Sequence, residues 1–338
     1  MMYRDLWGDW YNMKEFIKQL TQKVLEGKEI TFEEASEIIN IDEKDIETLE
    51  LLFSGANKIR KQYVGNKVDL CTIMNAKSGR CSEDCKYCAQ SVHYNTGVTE
   101  YDLINYDEIL ERALKVQKSG AHRFSLVTSG KGISSDEELD QLVERYKRLK
   151  VDTNLKLCAS HGIATFEQLL KLKEAGISMY HHNIETSSDN YDNICTTHSY
   201  EQRIETIKNG MKAGLEICCG GILGLGESKE DRVKMAFEIK SLGITSIPLN
   251  VLMPIKGTPY EDLTVLSPLE IIKSMALVRY IIPNSYIRYA GGRMALKDKQ
   301  SLGFKAGVNA ALVGDFLTTI RSNVENDKEM MICAGLEI

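Results

Sequence analysis

Short apolar runs rich in β-forming residues alternate with amphipathic runs along the middle of the chain, at intervals of roughly 25–40 residues. This pattern predicts the alternating strands and helices of an α/β fold. Eight apolar runs predict strands at 68–74, 122–127, 155–160, 179–185, 215–223, 246–253, 285–290 and 310–314. Near-continuous apolar strands that alternate with helices are typical of a parallel sheet. Eight such units predict an α/β fold of the (β/α)8 TIM-barrel type, or a less closed relative of it.

Helix-start signals fall between these runs, where the barrel needs its helices. A Ser or Thr followed three residues later by Glu or Gln recurs as a capping box, and glycines stand where helices should stop. The starts are Ser135, Thr165, Ser199 and Ser267, and the stops are Gly176, Gly214 and Gly243. We expect helices at 13–25 and 45–61 as well, so that residues 1–65 are N-terminal helices packed on a barrel of residues 66–320. Residues 321–338 are expected to be a C-terminal tail.

The bulk composition excludes several classes of protein. The 338 residues include 42 Lys and Arg against 48 Asp and Glu, a net charge of −6. No basic patch indicates a nucleic-acid partner. No apolar run is long enough for a membrane span, and the charged N-terminal segment is unlike a signal peptide. The sequence therefore predicts a cytoplasmic globular protein with neither nucleic acid nor membrane as partner.

Nine cysteines are many for a cytoplasmic chain. In a reducing compartment thiols stay reduced, so clustered cysteines indicate metal binding or catalysis rather than disulfides. Two cysteines are isolated in the sequence. Cys71 is interpreted as a small buried residue, and Cys333 as a residue of the C-terminal tail.

Polar residues lie on or just after the predicted strands, and in such barrels the active site lies at the carboxyl ends of the strands. Side chains that point into one lumen need partners, and a large polar ligand or cofactor would supply them. These positions are Thr128, Ser129, Cys158, His181, His182, Asn183, Cys218, Cys219, Asn250 and Arg288.

The densest cysteine cluster is Cys81-x3-Cys85-x2-Cys88, in the loop after the first predicted barrel strand. Three thiolates can hold a [4Fe–4S] cube and leave one iron open to another ligand. The alternative is zinc, with His93 as a fourth ligand. The polar lumen favours the cluster, because a structural zinc site needs no such lumen beside it.

The cysteine spacing, with Tyr87 before the last cysteine, resembles the signature of the radical S-adenosylmethionine (SAM) superfamily. Five sequence blocks resemble, in order and spacing, those of the biotin synthase family: RCSEDCKYCAQSVHYNTG, YHHNIETS, GGILGLGE, NVLMPIKGTP and SYIRYAGGR. The resemblance extends from about Val68 to Thr319. A match of several separate blocks is far more specific than the cysteine motif alone.

The resemblance implies a sulfurtransferase that inserts sulfur into dethiobiotin to form biotin. A [4Fe–4S] cluster binds SAM, and cleavage of SAM gives a 5′-deoxyadenosyl radical that takes hydrogen from the substrate. The sulfur comes from an auxiliary iron–sulfur cluster deep in the barrel. An electron donor such as flavodoxin or ferredoxin and a homodimeric state are also implied.

The resemblance carries over to individual positions. Cys81, Cys85 and Cys88 would hold the SAM cluster. Positions that match SAM contacts are Tyr87, Thr128, Asn183, Glu185, Arg203, Gly221 and Met253. Positions that match dethiobiotin contacts are His181, Asn183, Asn250 and Thr318, although the family commonly has Asn at the first of these.

The auxiliary-cluster positions depart from the family pattern. Cys158, Cys218 and Arg288 match three ligands of the family's [2Fe–2S] cluster, but the fourth position is Ser125. A serine oxygen is a poor substitute for a thiolate at iron. Cys195 is a cysteine that the familiar pattern lacks.

The adjacent Cys219 is a second such cysteine. Strand neighbours point to opposite faces, so we expect Cys218 to face the lumen and Cys219 to pack against the helices. The sequence therefore predicts Cys158, Cys195 and Cys218 as auxiliary ligands, with Arg288 as a further ligand or a hydrogen-bond donor. A four-iron cluster with an extra sulfide is the favoured type. A [2Fe–2S] cluster with Ser125, or no auxiliary cluster, remains the alternative.

Two other functions stay open at this point. One is another radical SAM barrel enzyme of the hydrogenase-maturation and methylornithine synthase group. The other is a non-catalytic zinc-binding or redox-sensing barrel.

Overall fold

The computed structural model describes residues 2–4, 10–314 and 324–338. Its centre is a parallel sheet that closes on itself, because the order β10-β11-β3-β4-β5-β6-β7-β9-β8 is completed by pairing between β10 and β9. The strands are β1 Met2–Arg4, β2 Trp10–Asn12, β3 Asp69–Lys77, β4 Arg123–Thr128, β5 Lys156–Ser160, β6 Ile177–His181, β7 Glu216–Cys218, β8 Gly221–Leu223, β9 Ser246–Val251, β10 Tyr286–Tyr289 and β11 Ala310–Leu312. The short β1 and β2 form a separate antiparallel pair.

Helices follow the barrel strands and cover them. They are α1 Met13–Leu25, α2 Phe32–Ile39, α3 Ile46–Tyr63, α4 Tyr106–Lys118, α5 Asp136–Asp152, α6 Phe166–Glu174, α7 Tyr191–Ile194, α8 Tyr200–Lys212, α9 Lys229–Ser241, α10 Pro268–Ile281, α11 Gln300–Lys305 and α12 Val324–Cys333, with a 3-10 helix at Arg293–Lys299. The predicted caps are present: the side chains of Thr165 and Ser199 each accept a hydrogen bond from the backbone three residues on, and the Gln there bonds back. The (β/α)8 prediction is confirmed.

The predicted strand 215–223 is split, with a break at Cys219 and Gly220 between β7 and β8. A side chain on Gly220 would place its Cβ 1.8 Å from the carbonyl oxygen of Pro248 on β9. Glycine is therefore required by the close approach of two backbones. Because β7 and β8 together occupy one place in the barrel, nine strand segments make an eight-stranded barrel.

Helices α1 and α3 confirm the predicted helical segments of the N-terminal region, and α2 lies between them. Within the predicted C-terminal tail, α12 is helical, and its Asp327 forms a buried ion pair with Arg293. Among the described residues, we find no helix with the length and apolar character that a membrane span requires.

A buried network of charges joins α9 to α10. Arg232 pairs with Glu227 and Glu270, both at 2.7 Å, and Glu270 also pairs with Lys273 at 2.7 Å. The Lys273 ammonium donates to the carbonyl of Ile41, 2.9 Å away, and so ties α10 to the N-terminal helices.

We expect Glu270→Gln to lower the free energy of unfolding by about 3 kcal/mol, because it leaves two buried cations short of a counter-charge. Urea denaturation with tryptophan fluorescence measures this. The matched control is Glu111→Gln in the exposed pair with Lys115, where the change should be below about 0.5 kcal/mol. Equal changes in the two variants would contradict the role of the buried network.

Candidate active site

Among the described residues, cavities open at both ends of the barrel strands. The upper cavity, at the carboxyl ends, has a volume of about 290 Å³. A further space of about 460 Å³ adjoins it and shares Tyr87, Asn183, Glu185 and Asn250 with it. The lower cavity, at the amino ends, is lined by residues that include Asp69 and Arg123.

The loop after β3 brings the three motif cysteines to the edge of the upper cavity. Cys81, Cys85 and Cys88 all line that cavity. Backbone hydrogen bonds of 2.9 Å fix the loop: Cys81 donates to Gln90, Val92 to Cys81, and Cys88 to Cys85. The three thiols are therefore held by the backbone.

The motif cysteines fit a group larger than a single ion. Thiolates on one zinc ion lie about 3.8 Å apart, since Zn–S bonds are about 2.3 Å in a tetrahedron. Among the described residues, the Cys, His, Asp and Glu groups whose ligand atoms lie within 4.8 Å of one another do not include the three motif cysteines together. His93 is exposed, and its Nε2 lies 3.0 Å from the Ser82 carbonyl oxygen. The donor set fits a cube-sized iron–sulfur cluster better than a Cys3His zinc site.

The structure separates Cys195 from the group in which the sequence analysis places it. Its Sγ lies 3.7 Å from the Sγ of Cys85 and 3.2 Å from Nδ1 of His198. Cys158 and Cys218 instead pack together with Met179. The prediction that Cys195 joins them is therefore wrong in this geometry, because the turn after α7 carries Cys195 to the motif loop at the upper rim.

Cys71 is a third buried cysteine in this part of the barrel, and it interacts with Cys158. A hydrogen bond with Cys158 lowers the pKa of Cys71 to about 6, despite complete burial. Cys71, Cys158 and Cys218 are all fully buried. Cys71 is buried and packs against Ala290 and Leu312, as expected of a small core residue, but its interaction with Cys158 was not expected. The missed signal is its position: each of the three cysteines is the fourth residue of its predicted strand.

Charges around Cys218 favour its thiolate. Burial alone would raise the pKa of Cys218, but the positive charges of His181 and Arg288 outweigh burial and lower that pKa. The hydroxyl of Ser246 also donates to Cys218 Sγ, at 3.3 Å. The neighbouring Cys219 lies in the main hydrophobic core, so the two cysteines face opposite sides as the strand alternation predicts.

Arg288 lies beside these thiols and is 1% exposed. Its Nη2 lies 2.7 Å from the Asp69 carboxylate, and Nη1 donates to the Asp69 carbonyl at 3.1 Å. Within the described residues, Arg288 Nε, Ser125 Oγ and His181 Nε2 are buried without a hydrogen-bond partner. Buried polar atoms of this kind need a partner, and a polar or inorganic group in the upper cavity would supply one.

Thr128 is oriented by a chain of hydrogen bonds that the sequence analysis missed. Its Oγ1 lies 2.9 Å from Nδ1 of His161, whose Nε2 lies 3.0 Å from the hydroxyl of Tyr146. Burial lowers the pKa of His161 to about 3, so the ring is neutral. The Tyr146 hydroxyl donates to the Cys158 carbonyl, so Nε2–H donates to Tyr146 and Nδ1 accepts from Thr128. The Thr128 oxygen therefore offers only acceptor capacity to the cavity.

Glu185 has a strained backbone with φ of 68°, which is uncommon outside glycine and asparagine. Burial raises the pKa of its carboxyl, and Arg203 opposes this only in part. Arg203 Nη1 lies 3.7 Å from Glu185 Oε1 and donates to the Asn183 carbonyl at 3.0 Å. The Glu185 carboxyl group and the Arg203 guanidinium therefore lie side by side at the cavity wall.

The remaining predicted positions divide into two groups. Met253 lines the adjoining space, and His181 lines the upper cavity. The Asn250 amide bridges two backbones, donating to the Gly221 carbonyl at 3.3 Å and accepting from Gly291 N–H at 2.8 Å.

Gly221 is a predicted position that does not line the cavity. A Cβ on Gly221 would lie 2.5 Å from the Glu185 carbonyl oxygen, so this glycine serves the approach of two backbones rather than the approach of a ligand. Thr318 lies outside the described residues.

Comparison with known proteins agrees with this geometry. Residues 76–239 match the Radical SAM superfamily, and residues 248–337 match the Biotin and Thiamin Synthesis associated domain. The chain is 55% identical to the biotin synthase of Clostridioides difficile over 96% of this chain and 100% of that protein. It is 55% identical to the biotin synthase of Acetivibrio thermocellus, with coverage of 96% and 100%.

Solved structures show the same fold. Methylornithine synthase (PylB) superposes with a TM-score of 0.81 at 22% identity, covering 94% of this chain and 96% of that one. The FeFe-hydrogenase maturase HydG from Carboxydothermus hydrogenoformans gives 0.79 at 19% identity, with coverage of 96% and 79%. Identity this low shows the fold alone. The full-length match at 55% identity goes further, and it shows that the chain belongs to the biotin synthase family of the radical SAM superfamily.

Proposed function

We propose that this protein converts dethiobiotin to biotin by radical SAM sulfur insertion. The observation that carries the proposal is that two separate groups of thiols flank one polar cavity. Cys81, Cys85 and Cys88 line it, and Cys71, Cys158 and Cys218 are fully buried. The neighbours of Cys218, His181 and Arg288, line the same cavity. One group suits the generation of a radical, and the other suits storage of the sulfur to be inserted.

The rim cysteines would hold the [4Fe–4S] cluster, which supplies the electron that cleaves SAM to methionine and a 5′-deoxyadenosyl radical. The protein side chains bind and orient SAM. The Arg203 guanidinium suits the methionine carboxylate, and Glu185 suits the ribose hydroxyls. The acceptor-only oxygen of Thr128 suits a donor such as the SAM ammonium. Tyr87 and Met253 would line the remaining walls of the SAM site.

The buried cysteines Cys71, Cys158 and Cys218 would hold the auxiliary iron–sulfur cluster. We favour the four-iron type, because the protein presents three thiolates and a serine oxygen is a poor iron ligand. The orphaned Ser125 Oγ keeps the [2Fe–2S] alternative open. Arg288 is held by Asp69, so its free Nε is positioned to donate a hydrogen bond to cluster sulfur.

The substrate would lie between the two thiol groups. His181 and the amides of Asn183 and Asn250 offer donors and acceptors that match a ureido ring, and Thr318 is a further candidate from the family resemblance. That resemblance also supports flavodoxin or ferredoxin as electron donor, a homodimeric state and action in the cytoplasm.

Product analysis under anaerobic conditions tests the proposal. Protein reconstituted with iron and sulfide is incubated with SAM, dithionite and dethiobiotin, and both products are measured by mass spectrometry. We expect biotin and 5′-deoxyadenosine. Deoxyadenosine without biotin would indicate a different radical SAM substrate, and neither product would indicate a non-catalytic barrel.

Replacement of Thr128 by valine is expected to raise KM for SAM about tenfold, because the variant loses one hydrogen bond to a charged group. The valine is nearly isosteric, and the cavity shape is kept. Initial rates of deoxyadenosine formation measure KM, and Thr128→Ser, which keeps the acceptor, is the matched control. An unchanged KM in the valine variant would exclude this contact.

A further inference from the structure

The lower cavity has no part in the site described above, although it reaches the same barrel lumen from the opposite end. Its volume is about 680 Å³. Inward-facing residues at the amino ends of the strands line it, and these are Asp69, Arg123, Lys156, Met179, Glu216, Ser246 and Tyr286. The barrel is therefore accessible from two mouths, with the layer of Cys71, Cys158 and Cys218 between them.

The lining of the lower cavity favours an anion. Three cationic side chains, Lys67, Arg123 and Lys156, face two carboxylates. One of the carboxylates, Asp69, is already paired with Arg288 at 2.7 Å. Arg123 is 12% exposed, and its Nη1 is buried without a hydrogen-bond partner among the described residues. A buried guanidinium with a free N–H is a donor in need of an acceptor.

Arg123 is held in place at this wall by its two ion pairs. Its Nε lies 3.4 Å from the Asp69 carboxylate, and its Nη2 lies 3.2 Å from the Glu216 carboxylate at the exposed rim. Neither pair occupies Nη1. The free N–H therefore belongs to a side chain with a fixed orientation rather than to a mobile surface arginine.

The lower cavity ends directly beneath the buried thiols. Ser246 lines the cavity and donates to Cys218 Sγ at 3.3 Å. Met179 lines it too and packs on Cys158 and Cys218. Because Ser246 and Met179 contact both the cavity and the thiols, a layer one side chain thick separates the lower cavity from Cys158 and Cys218.

We propose that the lower cavity is the entry site for hydrosulfide, the small sulfur anion that replaces the sulfur used in each turnover. The proposal rests on the proposed function, because only an enzyme that consumes sulfur from a buried cluster needs such replacement. SAM and dethiobiotin would fill the upper cavity, so the lower mouth is the route they leave open. Arg123 would bind the hydrosulfide, Ser246 and Met179 would line its route, and the cluster held by Cys71, Cys158 and Cys218 would take it up as sulfide. Its proton leaves to water, and no electron is transferred.

Isotope uptake after one turnover tests the proposal. The holoenzyme is taken through a single turnover, which is scored as biotin formed, and is then freed of small molecules. SAM and dethiobiotin are added without reductant to occupy the upper cavity, followed by ferrous iron and ³⁴S-labelled sodium sulfide. Protein is recovered by rapid gel filtration at a series of times, and its acid-labile ³⁴S is measured by mass spectrometry.

Two matched pairs of variants report on the route. Arg123→Gln removes the free charged donor, and we expect uptake about tenfold slower, whereas Arg123→Lys keeps the charge and should remain within about threefold of the parent protein. Thr245 is exposed at the mouth of the cavity. Thr245→Trp should slow uptake by obstruction, and Thr245→Ser should leave it unchanged.

The outcomes distinguish the two proposals. Normal biotin in the first turnover, with ³⁴S uptake equal in all variants, would overturn the lower entry site and leave the proposed function intact. The lower entry site is also overturned if SAM and dethiobiotin block uptake in the parent protein, since entry would then be from above. Absence of biotin in the first turnover of the parent protein would overturn the proposed function itself. If Arg123→Gln does not load its clusters, the Thr245 pair decides.

Discussion

Replacement of Cys88 by alanine is expected to abolish 5′-deoxyadenosine formation entirely. Cys88 is one of three thiols held by the loop at the upper cavity, and the cube already has one iron without a protein ligand. Loss of another thiolate leaves too few ligands to keep the cluster in place during reduction. Bound iron should fall by the content of one [4Fe–4S] cluster, as measured by iron analysis and by electron paramagnetic resonance of the reduced protein.

The matched control is Cys333→Ala, because Cys333 is an exposed cysteine of α12. It should keep full iron content and full deoxyadenosine formation. Retention of the SAM-dependent signal in Cys88→Ala would show that the rim cysteines do not hold the cluster.

Replacement of Cys71 by alanine has the second largest expected effect. The variant should form no biotin and should lose the iron of the auxiliary cluster, while it still cleaves SAM. The reason is that Cys71 is fully buried and interacts with Cys158, whereas the motif cysteines line the upper cavity. Mössbauer spectroscopy of protein reconstituted with ⁵⁷Fe separates the two clusters.

Cys195→Ala is the matched comparison, since Cys195 was the third auxiliary ligand predicted from sequence. Its Sγ contacts Cys85 at the rim, 3.7 Å away, so its removal should leave auxiliary iron in place. Loss of auxiliary iron in Cys195→Ala but not in Cys71→Ala would restore the sequence-based assignment.

The barrel was predictable because its strands and helices repeat with clear periods and clear caps. All eight apolar runs became barrel strands, and the rim cysteines were found from their spacing alone. The break at Gly220 was not predictable, because it arises from the backbone of Pro248 on the next strand. A contact between strands leaves no trace in the periodicity of either one.

The buried thiol group was only partly predictable, because the resemblance supplied Cys158 and Cys218, and the extra cysteine Cys195 was expected to join them. Cys195 follows the His-Asn strand by sequence, yet the short helix α7 turns it back to Cys85. Cys71 belongs to no cluster of cysteines in the sequence, so it resembles a residue that only packs in the core. Its position as the fourth residue of its predicted strand, which Cys158 and Cys218 share, was the signal that it lies near them. His161 was missed for another reason, since its role is to orient Thr128 rather than to face the ligand.

We propose that this chain makes biotin with sulfur stored in its own barrel. The most direct measurement is a single turnover of protein whose clusters carry ³⁴S, in a medium with unlabelled sulfide and with SAM, dithionite and dethiobiotin. Mass spectrometry of the biotin formed reads the origin of its sulfur. We predict biotin that carries ³⁴S, formed together with 5′-deoxyadenosine. Unlabelled biotin, with the ³⁴S still bound to the protein, would contradict the claim.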